Sequence, residues 1–206
     1  MNGPAAVVVC VHDGWYGCGT GAGASNRALL QTLVDQLPAS VRLVVMPVLL
    51  TPDSSEHDPA WHRDMRALVA RVDAQVQPVD NGAGGRNRFV GLHAFRRVCE
   101  HAAQVLTTRI LPAAGPVLLL PIDAPFLGLP AQLGPFRPDL RVVLVPRSTG
   151  ALHDPLNTER VAWEQTGLRA AVAAGSRVAA ISRHMRRHLA DAYTVPAHAL
   201  IDLPTG

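Results

Sequence analysis

Residues 7–30 read VVVCVHDGWYGCGTGAGASNRALL, an apolar run followed by a glycine-rich segment and then by leucines at helical spacing. The apolar run is typical of a strand that is covered on both faces of a parallel sheet. Four glycines at alternate positions let backbone N–H groups approach an anion, and Ser25 or Asn26 can cap the following helix. The segment therefore predicts a strand, an anion-binding loop and a helix. The alternative is a tight turn that only packs the helix on the sheet.

The rest of the chain repeats this alternation. Short apolar runs occupy residues 41–46, 75–79, 117–121, 142–145 and 177–181, and helical periodicity occurs near residues 29–37, 61–72, 92–106, 158–174 and 185–192. Alternating strands and helices predict an α/β fold with a doubly wound, mainly parallel, Rossmann-like sheet in a single domain over residues 1–200. In such sheets ligands bind beyond the carboxyl ends of the strands.

Composition narrows the classes of protein. The chain has 206 residues, of which 48% are hydrophobic, and a net charge of +3. All of its basic side chains are arginines and only 4% of its residues are aromatic, which disfavours nucleic-acid binding. Its three cysteines are an odd number, unlike a disulfide framework, and no apolar run reaches the roughly 18 residues of a membrane span. These features predict a cytoplasmic protein.

Two nucleotide-binding motifs are disfavoured. A Walker A loop requires a lysine, and the sequence contains none. Residues 19–24, GTGAGA, satisfy the GxGxxA pattern of dinucleotide sites, but the second strand ends VMPVLL at residues 45–50 without the carboxylate that would bind a ribose.

The C-terminal third carries a family resemblance. In order, it contains ERVAWE at 159–164, RVAAISRHMRRHL at 177–189, YTVP at 193–196 and LPTG at 203–206. With the glycine loop, these segments resemble the N-terminal domain of GT-B nucleotide-sugar glycosyltransferases, most closely the group-1, retaining type. Thr205 stands where that family has asparagine.

The resemblance implies how the whole enzyme works. The N-terminal domain binds a hydroxyl-bearing acceptor, a second Rossmann-like domain binds the nucleotide sugar as co-substrate, and no metal or other cofactor takes part. Residues 201–206 are then the start of an interdomain linker, and the missing C-terminal domain is the main partner. The isolated chain is expected to fold but to be inactive.

The resemblance also suggests roles for residues in two loops. Gly21 and Gly23 match the family's glycine loop, which lies near the donor diphosphate and the acceptor. Asp123 follows the fourth strand, where the family commonly has a histidine that faces the transferred sugar. An aspartate there can orient an acceptor hydroxyl or accept its proton. The alternative for Asp123 is a cap of the turn before Pro125.

Further candidates for acceptor binding lie in the loops at the same edge of the sheet. His12 and Asp13 close the first strand, Arg88 lies in a glycine-rich loop, and His153 with Asp154 resembles a His-Asp pair of the family. Each has a structural alternative: Asp13 begins an ordinary Asp-Gly turn, and loop arginines and a loop His-Asp pair are commonly solvated.

Two further groups are predicted to have no part in chemistry. His184 and His188 are one helical turn apart, but Arg186 and Arg187 lie between them, so no metal site is predicted. Glu164 is expected on a helix surface.

The sequence thus predicts the acceptor-binding domain of a glycosyltransferase. A stand-alone sugar- or nucleotide-binding module without catalysis is the alternative. The donor, the acceptor, the stereochemistry of transfer and a peripheral contact with a membrane stay open.

Overall fold

The computed structural model describes residues 5–88, 91–113, 115–134 and 137–203. Its strands are β1 (Ala6–Val11), β2 (Arg42–Pro47), β3 (Gln75–Val76), β4 (Val117–Pro121), β5 (Leu140–Leu144), β6 (Arg177–Ala180) and β7 (Leu200–Asp202). Its helices are α1 (Gly21–Gln36), α2 (Pro59–Ala70), α3 (Leu92–Val105), α4 (Leu129–Gln132), α5 (Gly150–His153), α6 (Thr158–Ala173) and α7 (Arg183–Tyr193).

The strands form one parallel sheet in the order β3-β2-β1-β4-β5-β6-β7. β1 lies between β2 and β4, and Cys10 pairs with Met46 on one side and with Pro121 on the other. All six residues of β1 are buried. A continuous apolar strand is expected where helices cover both faces of a sheet.

Side chains of β1 alternate between two layers. Val8 and Cys10 pack in the cluster that contains residues of α3, whereas Val7 and Val9 pack in the cluster that contains Leu30 of α1. A third cluster joins α6 and α7 to β5, β6 and β7. Helices thus cover both faces, as the doubly wound prediction requires.

Polar residues set where several helices begin. Asp58 accepts hydrogen bonds from two N–H groups of α2, Asn157 accepts one from the N–H of Arg160 in α6, and Ser182 accepts one from that of Met185 in α7. These are ordinary N-caps. Thr20 precedes α1 without capping it, because its hydroxyl bonds elsewhere.

The predicted fold class is confirmed, and two boundaries differ. β3 ends at Val76, and beyond it Val79 makes an isolated bridge to Val48. Pro78 does not interrupt this pairing, because the N–H groups of Gln77 and Val79 are the ones that donate to β2. β7 was not predicted: Ile201 and Asp202, which sequence analysis placed in a linker, pair with β6. Residues 204–206 of that linker lie outside the described residues.

None of the helices in the described part of the chain has the length and hydropathy of a membrane-spanning segment.

Candidate functional site

The site lies where the strand order reverses. From β1 the chain moves outward to β2 and β3, and then returns to β4 on the other side of β1. A crevice is expected at this point, beyond the carboxyl ends of the two central strands. A cleft of about 900 Å³ occupies it, with walls from the segments that follow β1, β4, β5 and β6.

Most of the predicted site residues line this cleft. Those that do are His12, Asp13, Gly21, Arg88, Asp123 and His153. Gly23 and Asp154 do not. The cleft is also lined by polar residues that sequence analysis did not assign to a site, among them Glu56, Arg147, Ser148 and Arg160.

The Asp13 carboxylate, which is buried, holds the glycine loop. It accepts hydrogen bonds from the N–H of Gly14 at 2.7 Å and of Gly19 at 3.2 Å. The hydroxyl of Thr20 donates to it at 2.7 Å, and the guanidinium of Arg88 pairs with it. Asp13 thus shapes the loop that borders the cleft, and its part in acceptor binding stays a prediction.

The charge of Arg88 is compensated by two carboxylates. Besides Asp13, it contacts Glu56, whose Oε2 accepts from Arg88 Nε at 2.8 Å and from the Arg88 backbone N–H at 3.0 Å. Arg88 therefore ties its own loop to the loop after β1. Sequence analysis missed Glu56 because it lies 32 residues from Arg88, and nothing local marks the pair.

The two predicted loop glycines have different environments. Gly21 is exposed, and among the described residues nothing lies within 4 Å of the position a Cβ would occupy. Gly23 is buried, its N–H donates to the carbonyl of Thr20 at 3.0 Å, and a Cβ there would stand 2.8 Å from Cγ of Asp13. Gly23 is therefore required by close packing, and of the two only Gly21 lines the cleft.

Asp123 has an unusual backbone. It directly follows β4 and the bridging residue Ile122, with φ 68° and ψ 174°, a combination that is essentially restricted to glycine. The N–H of Asp123 donates to the carbonyl of Val145 at 2.9 Å, and the carbonyl of Asp123 accepts from the N–H of Phe126 at 3.1 Å. These two hydrogen bonds hold the backbone of Asp123 in this conformation. Such strain costs about 1–3 kcal/mol.

The strained backbone places the Asp123 carboxylate in the cleft. Oδ1 accepts hydrogen bonds from the N–H of Ser148 at 3.2 Å and from its hydroxyl at 3.3 Å. Oδ2 lies 3.6 Å from Nδ1 of His12, and both side chains are more than nine-tenths buried. The sequence-based alternative, a turn cap made by the side chain, does not occur, since the Asp123 side chain makes no cap hydrogen bond.

Arg147 is a buried cation that sequence analysis missed. It is 7% exposed, and its Nε donates to Oδ1 of Asn26 at 3.2 Å. Burial lowers the pKa of its guanidinium, and the charge of Asp123 partly offsets this. The strand-end argument that identified Asp123 applies equally to Arg147, which follows β5, and could have found it.

Glu164 lies in the interior rather than on a helix surface. It is fully buried, and both carboxylate oxygens accept from the N–H of Gly150, at 3.0 and 2.8 Å. Arg160 Nε donates to it at 2.9 Å, and the hydroxyl of Tyr193 donates to it as well. Arg160 also donates to Ser148, so this network supports the wall of the cleft that holds Asp123.

The remaining candidates lie further out. His153 ends α5 at the rim of the cleft, whereas Asp154 is exposed beyond it. His188 is hydrogen-bonded to the Thr149 hydroxyl at 2.7 Å, and burial followed by the nearby His184 lowers its pKa. Within the described ranges no group of three or more His, Cys, Asp or Glu side chains is placed to hold a metal ion.

Comparisons with known proteins support the fold. No protein-family model matches the chain, and no curated protein matches it. Among solved structures, the chain is similar to the N-terminal domain of trehalose-6-phosphate phosphatase from Candida albicans, with a TM-score of 0.61 and 10% sequence identity. The match covers 97% of this chain and 48% of the other, so this chain spans about half the length of that structure.

At this level of identity the likeness shows a fold and no more. The chain is a Rossmann-like α/β domain with its cleft at the reversal of strand order. The glycosyltransferase resemblance is supported only at the level of that fold.

Proposed function

We propose that this domain binds the acceptor in the transfer of a sugar from a nucleotide-sugar donor. The observation that carries the proposal is the strained Asp123, whose carboxylate faces the cleft beside His12. Strained residues persist where the surrounding structure over-determines them, and they cluster at functional sites. An aspartate in place of glycine at this backbone position is therefore best explained by what its carboxylate does.

In this proposal Asp123 Oδ2 accepts a hydrogen bond from an acceptor hydroxyl. Holding that hydroxyl at the anomeric carbon of the donor removes much of the entropic barrier. As the new C–O bond forms and the bond to the diphosphate breaks, the hydroxyl proton moves to the carboxylate of Asp123 and the diphosphate leaves with the electron pair. Ser148 holds the carboxylate in place through two hydrogen bonds, and the His12 ring lies beside it.

The donor side of the reaction is proposed to lie on a second Rossmann-like domain. Gly21, at the exposed start of α1, then faces the diphosphate with its backbone N–H. The length of the structural neighbour, about twice that of this chain, agrees with a two-domain arrangement. That neighbour belongs to a protein named for a phosphorylated sugar, and its likeness to this chain is one of fold alone.

The test is Asp123→Asn in an enzyme that includes the donor-binding domain. We expect kcat to fall by about 10²–10⁴ with donor affinity unchanged, as for the loss of a general base. Asp73→Asn is the matched control, since Asp73 is an exposed aspartate that also has a positive φ, 50°. Transfer rates and calorimetric donor titrations measure the two quantities.

Other outcomes separate this proposal from the binding module without catalysis. Normal transfer by a folded Asp123→Asn enzyme overturns the role of Asp123. Sugar binding without transfer to any acceptor, in the presence of the second domain, supports the binding module instead.

A further inference from the structure

Arg147 carries a charge for which the described part of the protein supplies no ion-pair partner. In the described part of the chain, neither Nη1 nor Nη2 has a hydrogen-bond partner, although both atoms are buried. Among the same residues, no carboxylate oxygen lies within 4.0 Å of a guanidinium nitrogen of Arg147, the longest distance at which the two would form an ion pair. A buried cation in this state costs free energy unless an anion joins it.

The start of α1 adds further donors beside Arg147. α1 is 16 residues long, and its first residues, Gly21 and Ala22, line the same cleft as Arg147. N–H groups at these first helical positions have no acceptor within the helix. The helix dipole gives this end a partial positive charge, and Asn26 of the same helix accepts from Arg147 Nε.

We propose that Arg147 and the first turn of α1 bind a terminal phosphate group of the ligand in this cleft. If the proposed function is correct, the acceptor is therefore a phosphorylated sugar or polyol. The reactive hydroxyl of that acceptor lies at Asp123, whose carboxylate is bonded to Ser148, the residue next to Arg147.

The number of donors favours a phosphate over a carboxylate. With Nε engaged, a guanidinium retains four N–H donors, and the backbone N–H of Ala22, which the proposed donor diphosphate does not use, brings the total to about five. A carboxylate offers about four acceptor positions, whereas a phosphate monoester offers three terminal oxygens with more lone pairs.

Burial favours a terminal group over the internal diphosphate of a nucleotide sugar. Arg147 is buried, whereas Gly21 at the rim is exposed. An end group can enter this depth while the rest of the ligand extends to Asp123 and the opening. A diphosphate has a substituent on both sides, whereas the Arg147 side chain and its hydrogen-bond partner Asn26 are both buried at this end of the cleft.

Two charged neighbours affect the expected affinity. Asp123 repels an anion, and Arg160 attracts one, although its charge is shared with Glu164. We therefore expect dissociation constants in the micromolar to millimolar range for a small phosphate ester rather than tight binding.

The experiment is calorimetric titration of the 206-residue chain with inorganic phosphate, glucose 6-phosphate, glucose and UDP. We expect glucose 6-phosphate to bind at least about tenfold more tightly than glucose, with Arg147→Met abolishing this advantage. Arg169→Met, which removes an exposed arginine of α6, is the charge-matched control and should bind like the wild type.

Thermal unfolding distinguishes a loss of phosphate binding from a defect in folding. Without phosphate, Arg147→Met should melt close to the wild-type temperature, because removing the unpaired buried charge offsets the loss of the hydrogen bond to Asn26. Added phosphate should raise the melting temperature of the wild type and of Arg169→Met but not that of Arg147→Met. A large loss of stability in Arg147→Met without phosphate would make Arg147 structural and overturn the proposal.

The other possible results of these titrations also decide whether the proposed phosphate site is correct. Equal binding of glucose 6-phosphate by wild type and Arg147→Met overturns the site, as does a wild type that binds no phosphate compound. If UDP binds more tightly than glucose 6-phosphate and this binding depends on Arg147, the site binds a diphosphate, and the proposal of a terminal phosphate group is overturned. If glucose 6-phosphate binding depends on Arg147 but the Asp123→Asn enzyme transfers sugar normally, the phosphate site is supported and only the proposed role of Asp123 is overturned.

Discussion

At the residue scale, Tyr193 illustrates how burial changes an ionisation. Burial, followed by its hydrogen bond to Glu164, raises the pKa of Tyr193 to about 12 from 10.0. The neutral phenol is thus favoured in the folded chain. Stability from this group is fully present below about pH 10 and is lost as the pH rises through about 12, because the unfolded phenol ionises first.

We predict that this shift in the pKa of Tyr193 can be measured by the absorbance of tyrosinate. The chain has two tyrosines, so a Tyr16→Phe variant reports Tyr193 alone. Its ionisation midpoint should lie near pH 12, and unfolding by urea should become easier between pH 10 and 12. Tyr193→Phe is the control that should lose this part of the pH dependence. A midpoint near 10 in the folded Tyr16→Phe chain would contradict the buried Tyr193–Glu164 contact.

Single residues differ in how far the sequence predicts them. His12, Asp13 and Asp123 could be identified because each directly follows a central strand, and strand ends meet at one edge of a parallel sheet. Glu164 could not, because its burial depends on Gly150 and on Tyr193, 29 residues away. The backbone strain at Asp123 has no signal in the sequence, since aspartate is common in turns.

At the scale of elements, the glycine loop and α1 form one packed unit. A Cβ on Gly23 would press on the buried Asp13 carboxylate, whereas one on Gly21 would meet open space. Gly23 is therefore fixed by packing against Asp13, whereas Gly21 can accept a small side chain without a clash.

We predict opposite effects of alanine at these two positions. Gly23→Ala should lower the free energy of unfolding by about 1–3 kcal/mol, because the carboxylate and its hydrogen bonds must shift. Gly21→Ala should leave it unchanged or raise it by up to about 1 kcal/mol, since alanine favours the helix. Urea unfolding of both variants measures the difference, and equal stabilities would be inconsistent with the close contact at Gly23.

Long elements were predictable and short ones were not. The apolar runs of β1, β2 and β4 and the periodicity of α2 and α3 extend over enough residues to distinguish strand from helix. β7 has three residues, and only its pairing with β6 makes it a strand. The one-turn helices α4 and α5 have no periodicity to detect.

At the scale of the whole molecule, the cleft opens along one edge of the sheet. In the proposed enzyme its other wall is the donor-binding domain. We predict that the 206-residue chain alone binds no nucleotide sugar at micromolar concentration and transfers none. Calorimetric titration with uridine, thymidine, guanosine and adenosine diphosphate sugars, together with a transfer assay, tests this. Tight binding or turnover by the isolated chain would contradict the two-domain arrangement.

The central position of β1 has a consequence for the nascent chain on the ribosome. β2 becomes available soon after β1, but β4, its other neighbour, begins only at Val117, about a hundred residues later. At typical rates of translation this interval is roughly 5–20 s. During that time one edge of an entirely apolar strand has no partner and is open to pairing with other chains. Yield of soluble protein in cells should therefore depend on chaperones that shield this segment until synthesis passes Pro121.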